Sequence, residues 1–456
     1  MYKSRIFVIY FLIIFWQCFL FNNKSYGSGV MLDSMGPVSS GRGGTNIAHS
    51  DNGVLIHDNP AALVNMATGK TANFGLGFAY PDIKYRDPQG SDYSKHEIIT
   101  LPTFSLIYKK EDNSRFAFGI GGYIPAGFKT EYHLDHKTKI DLPILRNIPV
   151  SFGDQLYRTE TSFMKLLFST SYKVNDKLSL GFSFGPALHR AEIEAPFTQQ
   201  TGPAAGKLSF LADISTKDNF GYSYVFGAQY KLGEKTVLGI SYISESRATL
   251  RGDADIIIPK SAPGGRLLLT PFAEYDIKAN FEWPRSVGIG IAQELGMSHR
   301  LSLDVLWIDW ASAFDRLDFE LTDGDNRLFN SLLGNTVNDA IPLDWNGSFS
   351  FRFGYEYFHK GNRDNVLRFG YLYDDNPIPG STLVPIIPGI IKHIFSIGYS
   401  HKLRNKWDKW TTHMAVKLDI SDDEKVGKSK LVGDDFSNSS LKAKGYFFFM
   451  GMDYNF

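Results

Sequence analysis

The residues best equipped for metal chemistry occur together once, as Glu131 followed by His133, Leu134, Asp135 and His136. Imidazoles and carboxylates this close can share a divalent ion. They fall, however, in a long polar segment between two alternating stretches, a setting in which such groups are solvated, and no metal site is expected. Neither a strand–turn–helix nucleophile elbow of the Gly-x-Ser-x-Gly kind nor a Gly-x-x-x-x-Gly-Lys phosphate loop is expected. No residue set requires a cofactor. A hydrolase that draws Ser and His from distant strands stays open.

The start of the chain says where the framework of these groups resides. Lys3 and Arg5 precede an apolar run from Ile6 to Phe21, broken only by Gln17 and followed by Ser25, Tyr26 and Gly27. That order predicts a Sec signal peptide over residues 1–27, cleaved near Gly27 or Gly29. A membrane helix would need about 20 apolar residues. The sole cysteine, Cys18, lies inside the run, so the mature chain has no disulfide and must be stabilised otherwise. Lys plus Arg and Asp plus Glu balance at 48 each, which removes the electrostatic case for nucleic acid. Gly (43), Phe (36) and Tyr (23) are abundant, and no later run has the length of a membrane helix. Any membrane span must therefore be made by strands, which hide alternate residues from a hydropathy window.

Period-two patterning begins near Thr71 and recurs to Phe456. Phe349, Phe351, Phe353, Tyr355 and Tyr357 alternate with Ser348, Ser350, Arg352, Gly354 and Glu356, so one face suits lipid and the other water. Leu178 to Gly185 and Phe395 to Ser400 repeat the split. Short turns, as at 110–114, 175–177, 233–235, 296–299, 360–363 and 405–406, alternate with long segments at about 81–97, 129–156, 196–219, 251–271, 322–346, 375–390 and 421–442. Such alternation is expected when short turns face the periplasm and long loops face outward, and it predicts an all-β transmembrane antiparallel barrel of about fourteen strands over 71–456. Residues 272–294 are read as one strand with a bulge at Pro284, because a break there would put later loops on the wrong side. The final strand, Tyr446 to Phe456, is apolar at alternate positions. A terminal Phe resembles the signal read by the barrel assembly machinery, which places the chain in the outer membrane of a Gram-negative cell.

Residues 28–70 do not alternate, and a tail this rich in Gly, Ser, Asn and Asp could be disordered. It carries Gly36, Gly41-Arg42-Gly43-Gly44-Thr45, Ile47-Ala48, Asp51 and Asn59-Pro60-Ala61-Ala62-Leu63. This resembles the N-terminal hatch of the FadL/TodX family of outer-membrane transporters for fatty acids and hydrocarbons. Tyr123 to Tyr132, Trp345, and the stretch from Leu367 through Pro377, Pro379, Pro385, Pro388 and His393 to Tyr399 are similar to further family segments in the expected order. Ala62 stands where the family often has Gly, and the long loops show no likeness.

The resemblance implies a plug inside the lumen, built on Gly41, Arg42, Gly43, Gly44, Asn59, Pro60 and Ala61. It also implies passive uptake of a hydrophobic ligand, a fatty acid or hydrocarbon, with a lateral exit at a kink in the third strand. Gly121, Gly122 and Pro125 are the residues for that kink, since Gly holds no pleat and Pro donates no ladder bond. Ile144, Leu145, Leu328, Phe329 and Leu332 are candidates for capture, the last three on a short amphipathic helix. Arg352 and Arg368, on the inward parity, are candidates to meet a substrate carboxylate. Outer-membrane lipids and lipopolysaccharide are the expected surroundings, and a monomer the expected state. A barrel lipase or esterase and an adhesin-like surface barrel are the alternatives.

Overall fold

A strand that shows lipid one face and the lumen the other satisfies its backbone only if every edge is paired, and closure of the sheet supplies that. The computed structural model describes residues 29–139, 149–202, 205–206, 209–257, 272–433 and 436–456. The expected leader, with Cys18, and the loop residues Ile144 and Leu145 lie outside them.

Among the described residues, fourteen antiparallel barrel strands follow one another in chain order, with two short strands, Ser91–Tyr93 and Glu424–Lys425, paired to the outer ends of the first and last. They begin with β1 (Gly69–Arg86), β2 (Ile99–Lys109), β3 (Phe116–Lys139), β4 (Pro149–Lys173) and β5 (Leu178–Thr198). The next five are each interrupted: β6 (Ser209–Thr216, Asn219–Lys231), β7 (Thr236–Ile243, Ser246–Ile257), β8 (Phe272–Trp283, Ser286–Leu295), β9 (His299–Ile308, Arg316–Thr322) and β10 (Val337–Pro342, Ser348–Phe358). The last four are β11 (Asn365–Asp374), β12 (His393–Lys402), β13 (Trp410–Ile420) and β14 (Ser440–Asn455). β14 pairs with β1, from Thr71 opposite Asn455 to Arg86 opposite Ser440, and the cylinder is closed.

Parity is as the sequence predicts. Phe349, Phe395, Ile397, Tyr399, Leu180, Phe182 and Phe184 are exposed on the outer wall, while Ser348, Ser350, Arg352 and Glu356 are buried inside. Several strands run further outward than the hydrophobic pattern does, however. Of the segments expected as long loops, residues 129–139, 149–156, 196–198 and 209–216 are strand, belonging to β3, β4, β5 and β6. Beyond the bilayer the outward face no longer needs apolar residues, so the pattern fades while the ladder continues.

The bulge expected at Pro284 is not there. Ile243 opposite Ser286 and Ser246 opposite Trp283 keep one register across the interruption, so β8 gains no residue against β7. The irregularity lies on the other flank. Ala279 faces Phe319 and Ser286 faces Ile308, so seven steps of β8 match eleven of β9. The surplus in β9 holds the short helix Trp310–Ala313, with Trp310 buried.

Candidate functional site

Residues 29–66 lie within the lumen. Helix α1 (Gly36–Gly41) packs on β11 to β14 and β1, while α2 (Leu55–Asp58) and the 3-10 turn Pro60–Asn65 pack on the opposite wall, chiefly β3 to β7. Small inward residues make this possible. A Cβ on Gly41 would sit 2.8 Å from the Gly398 Cα, so the two backbones touch where any side chain would separate them. Inward serines bond to this segment: Ser183 Oγ donates to Ile56 O (2.7 Å), Ser171 Oγ to Ala61 O (3.1 Å), and Ser396 Oγ accepts from Gly43 N (3.1 Å).

The expected hatch residues each have a task here. Asn59 donates to Ile47 O (2.7 Å) and Ala228 O (3.2 Å), and its Oδ1 accepts from Ala61 N (3.2 Å), capping the 3-10 turn whose first residue is Pro60. Arg42 is fully buried, with Nε on Thr45 O (2.7 Å), one amino group on Asp51 (2.7 Å) and the other on Asn46 Oδ1 (2.7 Å). Gly44 O accepts from Arg352 (3.1 Å).

From Arg42 and Asp51 the ion pairs continue into the wall. Arg300 of β9 bridges Asp51 (2.7 Å) and Glu356 of β10 (2.5 Å), and Glu356 also takes Arg368 of β11 (2.8 Å). Asp304 accepts from the Asn46 and Ile47 amides (2.7 and 3.0 Å). His49 lies between these charges. Burial first, then Arg42 and Arg300, push its imidazole down to about 4. His49, Asp51 and Glu356 are close enough to share a cation, but Arg42 and Arg300 are within ion-pair reach of the same carboxylates, which opposes one.

Arg352 and Arg368 are therefore inward, but both are engaged, on the hatch carbonyl and on Glu356 with Ser400. Arg300 and Asp304 escaped the sequence reading, and Glu356 entered it only as one of a water-facing row. Their signal was a charge on the inward parity of an otherwise apolar-outward strand.

The wall itself is incomplete on one side. Pairing of β2 with β3 runs from Tyr108 opposite Phe118 only to Phe104 opposite Gly122. Beyond that point stand Pro102 on β2 and Pro125 on β3, neither with an N–H to donate. On the β4 side, β3 has a register shift between Tyr123 and Ala126. Gly127 then has φ +153°, and a Cβ there would meet Thr161 O at 2.7 Å, so the irregular stretch holds Pro125 and Gly127, while the expected Gly121 and Gly122 lie in regular ladder, opposite Ser105 and Phe104 on β2 and Leu167 and Leu166 on β4. The N-terminal segment takes up part of the freed backbone: Leu32 N donates to Pro125 O (2.9 Å), Gly127 N to Val30 O (3.4 Å), and Met31 bridges Ala126. Leu101, Pro102, Ile124, Gly127, Phe128 and Thr161 line the cavity at this gap.

Above the hatch lies an apolar interior pocket that includes Phe128, Ile193, Phe281, Phe314, Leu321 and Ile386, with Thr161 among its few polar residues. The β11–β12 loop helps to close it, burying Ile378, Leu383, Val384 and Ile390. The helix expected around Leu328 to Leu332 is present as Arg327–Leu333, and its Phe329 is buried against Tyr275, Ile277 and Val337.

Chemistry-bearing groups elsewhere have structural partners. Glu131 pairs with Lys95 (3.3 Å) and His133 faces Asp154 (3.7 Å). Gly181 to Gly185 does carry the Gly-x-Ser-x-Gly spacing, contrary to expectation. It lies mid-strand in β5, with Ser183 bonded to the hatch, and so lacks the strand–helix turn of an elbow. Ser400, His413 and Asp453 stand in a row (2.6 and 3.0 Å), but Ser400 also receives Arg368 and is buried, which makes the row a strut between strands.

A closed barrel with apolar walls outside and its own N-terminal segment lodged in the bore defines a plugged outer-membrane barrel. Residues 23–456 match the family described as outer membrane protein transport protein (OMPP1/FadL/TodX), and the chain belongs to that family. It is an outer-membrane protein. Outer membrane protein P1 of Haemophilus influenzae is 22% identical over 274 residues, 49% of this chain and 55% of that protein. The long-chain fatty acid transport protein of Escherichia coli is 21% identical over 404 residues, covering 81% of this chain and 82% of the relative. Among solved structures, a Pseudomonas aeruginosa FadL homologue superposes with a TM-score of 0.72 at 19% identity, covering 94% of this chain and 100% of the other. The P. putida toluene transporter TodX gives 0.72 at 20% identity, covering 93% and 99%.

Proposed function

We propose that this protein admits hydrophobic small molecules, long-chain fatty acids or aromatic hydrocarbons, by passive diffusion, and releases them sideways into the bilayer between β2 and β3. One observation carries the reading: Phe128 and Thr161 line both the interior apolar pocket and the cavity at the gap, so a single layer of side chains separates them. An apolar ligand gains by remaining among such walls, while the hatch keeps the bore closed to water-soluble solutes. The names of the relatives, a fatty acid transporter and a toluene transporter, support the ligand class. Capture begins, in this reading, at the outer loops that carry Ile144, Leu145 and the Arg327–Leu333 helix. A carboxylate head group would meet cations other than Arg352 and Arg368, which serve the latch, the network of Arg42, Asp51, Arg300, Glu356 and Arg368, with Arg352 on Gly44 O, that ties the hatch to β9, β10 and β11.

In the same proposal residues 28–70 form the hatch and residues 1–27 a cleaved leader. The protein works as a monomer without bond chemistry, and Phe456 serves its recognition by the assembly machinery. The test is uptake of a labelled long-chain fatty acid and of toluene by cells that lack their own transporter. Ile193→Asp, which places a carboxylate in the pocket, should lower uptake at least about tenfold with unchanged heat-modifiable gel mobility. Uptake equal to that of the unaltered protein would remove the pocket from the pathway.

A further inference from the structure

Outside the lumen, the β14–β1 seam carries a feature that transport does not use. On the face that shows Phe78, Tyr80, Tyr446 and Phe448 to lipid, the next residues outward are Asp82 opposite Lys444, then Lys84 opposite Lys442, then Arg86. Lys84 stands directly opposite Lys442, an arrangement that costs stability on a strand pair. Lys84 leans over the Tyr93 ring (4.8 Å), and Asp82, opposite Lys444, is turned to His96 (3.4 Å). Among the described residues none of these four cations has a carboxylate in ion-pair range. Several other outward cations are paired: Lys129 with Glu97 (2.6 Å), Arg158 and Arg190 with Glu192 (3.2 and 2.6 Å), Arg247 with Glu282 (2.6 Å).

Directly beneath the four runs a groove on the lipid-facing wall, lined by Tyr80, Ile98, Phe395, Val416, Leu418 and Tyr446. At about 3.4 Å per residue, the positions of Arg86 and Lys444 are separated by about 14 Å along the seam, with the Lys84–Lys442 pair between. A row of unneutralised cations over an apolar groove fits one kind of molecule at this depth.

We propose that the β14–β1 seam binds a bisphosphorylated, acylated glycolipid of the outer leaflet. Its phosphates, at opposite ends of a disaccharide, lie along Arg86, Lys84, Lys442 and Lys444, and an acyl chain lies in the groove below. The site is on the outer wall and stands or falls independently of the transport reading.

The test uses the full-length protein, delipidated in detergent, with binding of lipid A, of lipid A stripped of phosphate, and of phosphatidylglycerol followed by native mass spectrometry. Lipid A should bind at least about tenfold more tightly than either of the others. The Lys84→Gln, Lys442→Gln, Lys444→Gln triple variant should bind it about a hundredfold more weakly, since each cation at a membrane surface accounts for about fivefold. Lys442→Gln alone, about fivefold weaker, serves if the triple variant does not fold. Lys129→Gln, which removes a paired cation, should change nothing. Equal binding of phosphatidylglycerol, or unweakened lipid A binding by the variants, would overturn the site.

Discussion

Two seams of the barrel invert the expectation set by chain order. β14 and β1 come from opposite ends of the sequence, yet they pair from Thr71–Asn455 to Arg86–Ser440 without a register shift. β2 and β3 are joined by a tight turn, yet they part after Phe104–Gly122. Proximity in sequence lowers the entropy of bringing two strands together, but it does not hold them together. Side-chain chemistry decides that: the long seam has a donor on every residue except Pro81, while the short one meets Pro102 and Pro125 at the point where it opens. An unpaired backbone group at membrane depth costs several kcal/mol, so the opening is tolerable only where something else takes the bonds. Val30, Met31 and Leu32 do so. The hatch and the gap are for that reason one mechanical unit, whereas α1 only packs on the closing seam, and among the described residues no hydrogen bond joins that seam to the hatch.

Stapling the two seams separately gives the sharpest contrast. Continuing the Phe104–Gly122 register would bring Pro102 opposite Ile124, and both line the gap. Cysteines at Pro102→Cys and Ile124→Cys, joined by a short bis-maleimide, should reduce fatty acid uptake to background. Leu76→Cys with Met450→Cys, directly opposite on the closed seam, should form a disulfide and leave uptake unchanged. If the first staple leaves uptake intact, the gap is not the exit.

Next in size is the latch. Glu356→Ala leaves Arg300 and Arg368 without their shared carboxylate in a buried site, which costs about 3–5 kcal/mol. The expected result is faster amide exchange in residues 29–66 and around Tyr123 to Gly127, with β1 and β14 unchanged. Equal acceleration at the closed seam would mean that the two seams are coupled and the contrast is wrong.

The barrel was legible in the sequence because lipid imposes a pattern. Phe349 to Tyr357 and Phe395 to Tyr399 had to be apolar at every second position, which gave parity, and the alternation of short turns with long segments gave direction and count. Where lipid ends, so does the signal, and the outward halves of β3 to β6 read as loop. The hatch was legible only through its resemblance, since nothing in Gly41 to Thr45 by itself says lumen. Its docking surface was visible but misread: Ser183, Gly398 and Ser396 suited water by type, and they meet backbone instead. Pro284 shows the limit of local reasoning, because the insertion it suggested sits on the neighbouring strand, where Asp309 to Asp315 carry no turn signal of comparable strength. The interior pocket was the least legible, for Phe128, Phe281 and Ile386 come from strands and a loop far apart in the chain.

The smallest effect expected is a pH dependence confined to one side of the comparison. His49 remains neutral in the latched hatch down to about pH 4, whereas a released histidine takes up its proton near 6.5. Its folded pKa is lowered, so the released state binds more protons between those values. The latch is then fully stable above pH 6.5 and weakens as pH falls toward about 4, by at most about 1.4 kcal/mol per pH unit. His57, lowered chiefly by burial, acts in the same direction. For Asp51 burial raises the pKa, but Arg42, His49 and Arg300 together hold it well below the usual carboxylate range, so its ion pairs persist through this window. Amide exchange corrected for its intrinsic pH dependence should show residues 36–58 and Tyr123 to Gly127 less protected at pH 4.5 than at 7.5, and His49→Gln should reduce that difference. β1 and β14 should show none, because no group of the latch touches their ladder. A loss of protection at the closed seam of the same size would show that acid loosens the whole cylinder, and the hatch would then have no separate hold on the gap.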